Sequence, residues 1–336
     1  MSFYISGLEL SRRFYEEAVR PILDADFAGL RHSAALIGRG SEVLGFDDEM
    51  STDHNCEARV VLFLGEADHE THGAAVGEAL SNHLPSTFAD RPTAHELYTL
   101  RDYVRRNLDF DVERDIEVDD WITFAEQRLL MLTAGEVYHD EVGLEALRRR
   151  FAYYPHDLWL YLLLAGWWRI HPEANLVGRT GSVGDELGSS VIGSGIVLDV
   201  MRLCFLMERQ YAPYSKWLGT AFSRLTCGPQ LAPLLLEVQR ATTWQDRENA
   251  LLPVYEKLSE MHNALSVTDP VATGIVQMWD RPFKVLWGDF PAALRDRIED
   301  PAVKELAGQW PVGGADKFRE MMTPPSYRSR LRRVFE

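Results

Sequence analysis

Asp53 and Asn55 stand one residue apart, just ahead of the apolar run Arg59 to Leu64 and eleven residues after the pair Gly40-Ser41. On an extended segment, residues i and i+2 point to the same side. The spacing therefore predicts two side-chain oxygens aimed at one cation. Glycine lets an anion approach the backbone closely, and a hydroxyl such as that of Ser41 adds a donor. Donors for phosphates beside hard oxygen ligands for a metal are what a magnesium-bound triphosphate asks for. The same residue types are also common turn formers, so the spacing alone leaves a plain turn open.

The constellation Gly40-Ser41, the following eleven residues and Asp53-x-Asn55 before an apolar strand resembles the signature of the DNA polymerase beta-type nucleotidyltransferase superfamily. The longer stretch Gly40 to Asp47, together with Tyr211-Ala212-Pro213-Tyr214-Ser215-Lys216-Trp217-Leu218-Gly219, is similar to an uncharacterised bacterial branch of nucleotidyltransferase-like proteins, over most of the chain. The resemblance implies Mg2+ held by Asp53, Asn55 and a third acid from a later strand, for which Glu96 has the right order and context. It implies ATP as co-substrate, with Gly40, Ser41 and Lys216 on its phosphates. Asp185, in a glycine-rich stretch, is the candidate base for the acceptor. The superfamily pattern has Asp where this chain has Asn55. An amide oxygen ligates but brings no charge, so metal binding should be weaker. That departure keeps one alternative, a nucleotide- or ligand-binding protein whose site no longer transfers; a separate alternative is a toxin-type transferase acting on a macromolecule. Glu57 stands close enough in sequence to substitute for the missing carboxylate.

The 336 residues are 46% hydrophobic and 26% charged, as in ordinary globular chains. Up to Arg150 there are 15 basic and 30 acidic residues, a net of −15, and from Phe151 there are 20 and 21, a net of −1. An acidic first half repels a phosphate backbone and favours a small, cationic acceptor over long nucleic acid. Arginine supplies 30 of the 35 basic residues, and the first lysine is Lys216. A compact ammonium in an arginine-using chain draws notice as a phosphate contact. Cys56, Cys204 and Cys227 make neither a disulfide framework nor a zinc pattern, which suits a cytoplasmic setting. No secretory leader opens the sequence, and the uncharged run Leu158 to Trp168 is too short to cross a bilayer, so no membrane partner is expected. Oligomeric state is left open, with a homo-oligomer among the options and the arginines of the tail (Arg328, Arg330, Arg332, Arg333) as partners for acids.

Apolar periodicity predicts a helix over Leu8–Leu23, strands over Ala34–Ile37 and Arg59–Leu64, a helix over Asp68–Leu84 capped by Asp68, a strand over Ala94–Leu100 and helices over Leu100–Leu108, Trp121–Ala134 and Leu144–Tyr153. Strand signals fade after Tyr154-Pro155. From Asp157 the chain reads as helices, Asp269–Trp279 among them. The expectation is an α+β protein: a small mixed sheet domain over residues 1–153, followed by an all-helical bundle over residues 154–336.

Overall fold

The structure is a computed structural model that describes residues 5–48, 57–317 and 325–335. The protein is α+β and divides into two compact units. The first comprises Met1–Asp120, Phe124–Ala152 and Met322–Arg330, and the second Trp121–Thr123, Tyr153–Met321 and Leu331–Glu336.

The first unit opens with α1 (Gly7–Phe14) and α2 (Arg20–Asp26), joined by a π-helical turn over Tyr15–Val19. Periodicity predicted one helix here. The turn accommodates Pro21, which has no N–H to give and sits in the first turn of α2, where that donor is not needed. Then come β1 (His32–Leu36), β2 (Ala58–Leu64), α3 (Glu66–His83), β3 (Thr87–Phe88), β4 (Arg91–Thr99), α4 (Leu100–Leu108), α5 (Val118–Thr123), α6 (Glu126–Thr133), β5 (Glu136–Asp140) and α7 (Leu144–Arg150). Gly65, not Asp68, precedes α3 as its cap; Asp68 falls in the helix's first turn, where a carboxylate complements the helix dipole.

The strands form one mixed sheet in the order β3-β4-β2-β1-β5. β2 runs parallel to β4 with Arg59 opposite Ala94 and Val61 opposite Glu96, and antiparallel to β1 with His32 opposite Leu64. Buried strands at the sheet's centre carry side chains to two faces. Ala34, Ala58, Val60, Leu62 and Leu64 pack with Leu10, Phe14, Tyr15, Val19 and Leu23 of the first helical segment and with Val76 and Leu80 of α3. The alternate residues point the other way, where Phe63 meets the Tyr103 ring of α4 edge-on at 5.3 Å.

The second unit holds α8 (His156–Ala174), α9 (Leu176–Gly181), α10 (Glu186–Met207), α11 (Ser215–Ser223), α12 (Gly228–Arg240) and α13 (Trp244–Ala264). After α13 the helical pattern gives way to a hairpin, β6 (Gly274–Gln277) and β7 (Lys284–Trp287), followed by α14 (Phe290–Arg295) and α15 (Pro301–Gly308). The helix predicted over Asp269–Trp279 is thus a strand, because β7 supplies its hydrogen-bond partners. The chain's last helix, α16, runs from Arg328 to Phe335. Among the described residues α10 is long and apolar enough to cross a membrane, yet half of its most apolar stretch is buried in the fold, against α8, α9 and α13.

Candidate functional site, a cleft of arginines and carboxylates on the sheet

On the sheet face away from α1–α3 lies a cleft of about 310 Å³, near the lower end of small-molecule sites. β2 contributes Arg59, and Glu57 stands just before that strand. β4 contributes Ala94, Glu96 and Tyr98. The turn after β1 brings Ile37, Gly38 and Arg39, and the helices bring Tyr103, Arg106, Asn107 and Met131. The parallel register decides this grouping. Arg59 and Val61 on β2 share a face with Ala94 and Glu96 on β4, so a cation and an acid far apart in sequence open on the same space.

Arg59 fixes the cleft's near wall. Its guanidinium donates to Glu42 Oε1 (2.8 Å from Nη2) and to the carbonyls of Ile37 (3.3 Å from Nη1) and Arg39. The loop that follows β1 is thereby stapled to β2. Burial pushes the Glu42 carboxyl up, and Arg59 opposes that shift. Gly40 has φ +123°, and a Cβ there would fall 2.0 Å from Glu42 Oε1, so the folded-back carboxylate is one reason for glycine at this position. Gly38 N donates to Met131 O at 2.8 Å, anchoring the same loop to α6.

The far wall rests on aromatic packing. Tyr98 OH donates to Glu96 Oε2 at 2.6 Å, which orients that carboxylate; burial and the hydrogen bond to Glu96 push the phenol's pKa up. The Arg106 guanidinium lies 6.0 Å from the Tyr98 ring centre. Tyr98 and Tyr103 meet edge to face at 5.5 Å, and burial drives the Tyr103 phenol far above its ordinary range. The result is three guanidiniums (Arg39, Arg59, Arg106) and two carboxylates (Glu57, Glu96) around one opening. Guanidiniums suit phosphate oxygens, and carboxylates suit a hard divalent cation. The donor set fits a metal-bound polyphosphate.

Of the residues singled out in the sequence, Glu96 and Glu57 line the cleft. Asp53 and Asn55 lie outside the described residues. Gly40 and Ser41 belong to the loop whose Gly38 and Arg39 line the cleft, without lining it themselves; Ser41 O accepts from Leu44 N at 3.1 Å and Phe46 N at 2.9 Å. Asp185 and Lys216 belong to the second unit. Asp185 caps α10, accepting from Gly188 N at 2.7 Å, and the exposed Lys216 holds its ammonium 4.8 Å from the Trp217 ring. Sequence reasoning passed over Arg39, Arg59 and Arg106. Arg59 had a visible signal, a charge at the head of a strand with Val61 and Phe63 following on its face. Arg106 had none, because only tertiary packing brings α4 beside β4.

Residues 121–218 match a family described as "Domain of unknown function (DUF4037)". No curated protein matches the sequence. A solved structure similar to this chain is a nucleotidyltransferase-like protein from Exiguobacterium sibiricum 255-15, at 10% identity and a TM-score of 0.34, with 82% of this chain and 98% of that one covered. Likeness at that level carries no argument about chemistry.

Proposed function

We propose that the protein is a magnesium-dependent nucleotidyltransferase that moves a nucleoside monophosphate, AMP from ATP, to a small-molecule acceptor. The observation that carries this reading is the cleft itself, where Arg39, Arg59 and Arg106 surround the carboxylates of Glu57 and Glu96. Composition points the same way. An acidic first half, which disfavours long nucleic acid, nonetheless gathers guanidiniums at one opening, as a short polyphosphate requires.

In this reading Arg106 and Arg39 bind and orient the phosphates, while Arg59 holds the loop that shapes the near wall. Glu96, aligned by Tyr98, and Glu57 offer oxygens to the cation, with Asp53 and Asn55 completing the ligand set that the sequence resemblance implies. Bound Mg2+ supplies charge neutralisation at the phosphoryl group under attack. Ser41 and Lys216 as phosphate contacts, and Asp185 as the acceptor's base, are parts of the proposal that rest on sequence. The acceptor carries a hydroxyl, amine or carboxylate, and a cationic one suits the surrounding charge. A cytoplasmic location accords with Cys204 and Cys227 being free thiols.

Asn55 favours a second reading, a nucleotide-binding protein that has lost transfer, because it replaces a charged ligand by a neutral one. Calorimetric titration with a non-hydrolysable ATP analogue and Mg2+, followed by a pyrophosphate-release assay on ATP, separates the two. Magnesium-dependent binding with release supports transfer. Binding without release, across a panel of cationic acceptors, supports the second reading. Absence of binding with and without Mg2+ overturns both. Asn55→Asp should tighten Mg2+ binding if that position ligates metal.

A further inference from the structure

We propose that His32, His139 and Glu141 form a binding site for one divalent transition-metal ion of the zinc class, on the sheet face opposite the arginine cleft. Each of the three offers a ligand atom, and these atoms lie within 4.8 Å of one another. The two imidazole rings have centres 4.5 Å apart, and His139 Nε2 is 3.0 Å from Glu141 Oε2. Two imidazoles and a carboxylate are a preferred donor set for zinc, whose bonds of about 2.0–2.2 Å in a tetrahedron place neighbouring ligand atoms roughly 3.3 Å apart. Closing onto an ion therefore needs movements of about 1 Å, which the partly exposed His139 and the exposed Glu141 can supply.

Sheet geometry brings the three together. His32 begins β1, and β5 is the edge strand beside it. The β1–β5 register shifts between Ala34 and Ala35. Ala35 faces Val137 but Ala34 faces His139, so Tyr138 is an extra residue on β5. A bulge of this kind lets consecutive side chains share a side and re-aims one of them. Tyr138 stacks on Tyr15 with ring centres 6.2 Å apart, and the next residue, His139, comes 6.3 Å from the same ring and against His32. Had the ladder stayed regular past Val137, Tyr138 would face Ala34 and alternation would carry His139 to the other face.

The surroundings of His32 match those of a metal-binding histidine. The side chain is buried, and its Nδ1 lies 3.3 Å from Leu30 O, a carbonyl that accepts the ring N–H and leaves Nε2 as the ring's lone-pair nitrogen, where Tyr15 OH now donates and an ion would take its place. Such a contact to a backbone carbonyl commonly orients a ligating imidazole. Tyr15 OH is 2.9 Å from that Nε2 and would instead hydrogen-bond a water in the ion's fourth position. The edge position of β5 leaves Glu141 open to solvent, giving the ion a path in. The site shares no residue with the cleft and does not depend on the proposed transfer activity.

The test uses the full chain without a polyhistidine tag, stripped with chelator and titrated with Co2+. Expected are one Co2+ per chain with the visible absorption bands of a four-coordinate ion, and displacement by one equivalent of Zn2+. His139→Gln and Glu141→Gln, at positions exposed enough to keep the fold by circular dichroism, should each weaken Co2+ binding by at least about tenfold, and Tyr15→Phe by about tenfold. Glu96→Gln should leave it unchanged, which separates this site from a metal in the cleft. An absence of Co2+ uptake, or uptake equal to wild type in both folded His139→Gln and Glu141→Gln, overturns the proposal and leaves the cluster as packing between two imidazoles.

Discussion

Replacing Asp120 by asparagine removes one negative charge from the interior of the first unit and little else. The Asp120 side chain is fully buried. Its oxygens accept from Arg114 Nη1 (2.6 Å) and Nη2 (2.7 Å), from Arg328 Nη2 (2.7 Å) and from Glu117 N (3.1 Å). Arg328 is itself buried and donates to Asp109 O at 2.7 Å, so the carboxylate ties the start of α16 to the loop after α4. Despite burial, the hydrogen bonds from Arg114, Glu117 and Arg328 hold the acid's pKa down at about 2, against an ordinary 3.8. That depression corresponds to about 2 kcal/mol of stability at neutral pH. Removing one member of a buried pair costs about 3–5 kcal/mol in total, since an asparagine NH2 then faces a guanidinium. The sign follows from the depressed pKa: the linked stability is fully present above about pH 4 and is lost as pH falls towards 2. Urea denaturation of wild type and Asp120→Asn, followed by far-ultraviolet circular dichroism between pH 7 and pH 2.5, measures both quantities. A chain of two units can unfold in two steps, so the comparison belongs on the step that moves. A loss below about 1 kcal/mol at pH 7, the range of an exposed pair, would mean that Asp120 is not held as a buried charge. So would a difference that fails to narrow in acid.

Gly135→Ala should destabilise the first unit by about 3 kcal/mol, combining left-handed strain with overpacking, because φ is +76° and the new Cβ would sit 2.0 Å from Leu36 O; an unchanged urea midpoint would count against the loop's described path. In the second unit, burial pulls the pKa of His262 down to about 4, with its Nδ1 accepting from Trp167 Nε1 at 3.1 Å. Its contribution is complete above pH 6.5 and fades as pH falls to about 4, a loss of about 3 kcal/mol that His262→Gln should largely abolish in thermal melts across that range. At the cleft, Arg106→Ala should weaken binding of an ATP analogue by about tenfold, the loss of one charge-assisted contact, while Glu96→Gln should reduce the Mg2+ dependence of that binding; calorimetry with and without metal reads both, and wild-type values in each would remove the cleft from consideration.

Much of the first unit's framework could be read from local sequence. β1 and β2 stood out because strands buried on both faces are continuous apolar runs, α8 because it is a longer uncharged apolar run buried on all sides, and α3, α4, α12 and α13 because one side of each is apolar at helical spacing. β5 did not. Glu136-Val137-Tyr138-His139-Asp140 is a short, polar edge strand whose strand partner among the described residues, β1, lies about a hundred residues earlier. β6 escaped for a related reason: Gly274-Ile275-Val276-Gln277 becomes a strand by pairing with Lys284–Trp287, and the local pattern does not announce that partner.

Sequence alone therefore settled the α+β class and the strand that carries Glu96. Only the tertiary structure decided which charges meet. The parallel register of β2 on β4 puts Arg59 and Glu96 on one face, packing brings Arg106 alongside, and a single extra residue on β5 turns His139 towards His32. A strand's side chains alternate with a period of two, so a register displaced by one residue would put Arg59 and Glu96, or His32 and His139, on opposite faces of the sheet. Each strand's apolar pattern fixes which of its faces is buried, but the residue it pairs with belongs to a segment distant in the chain and is chosen only when the sheet assembles.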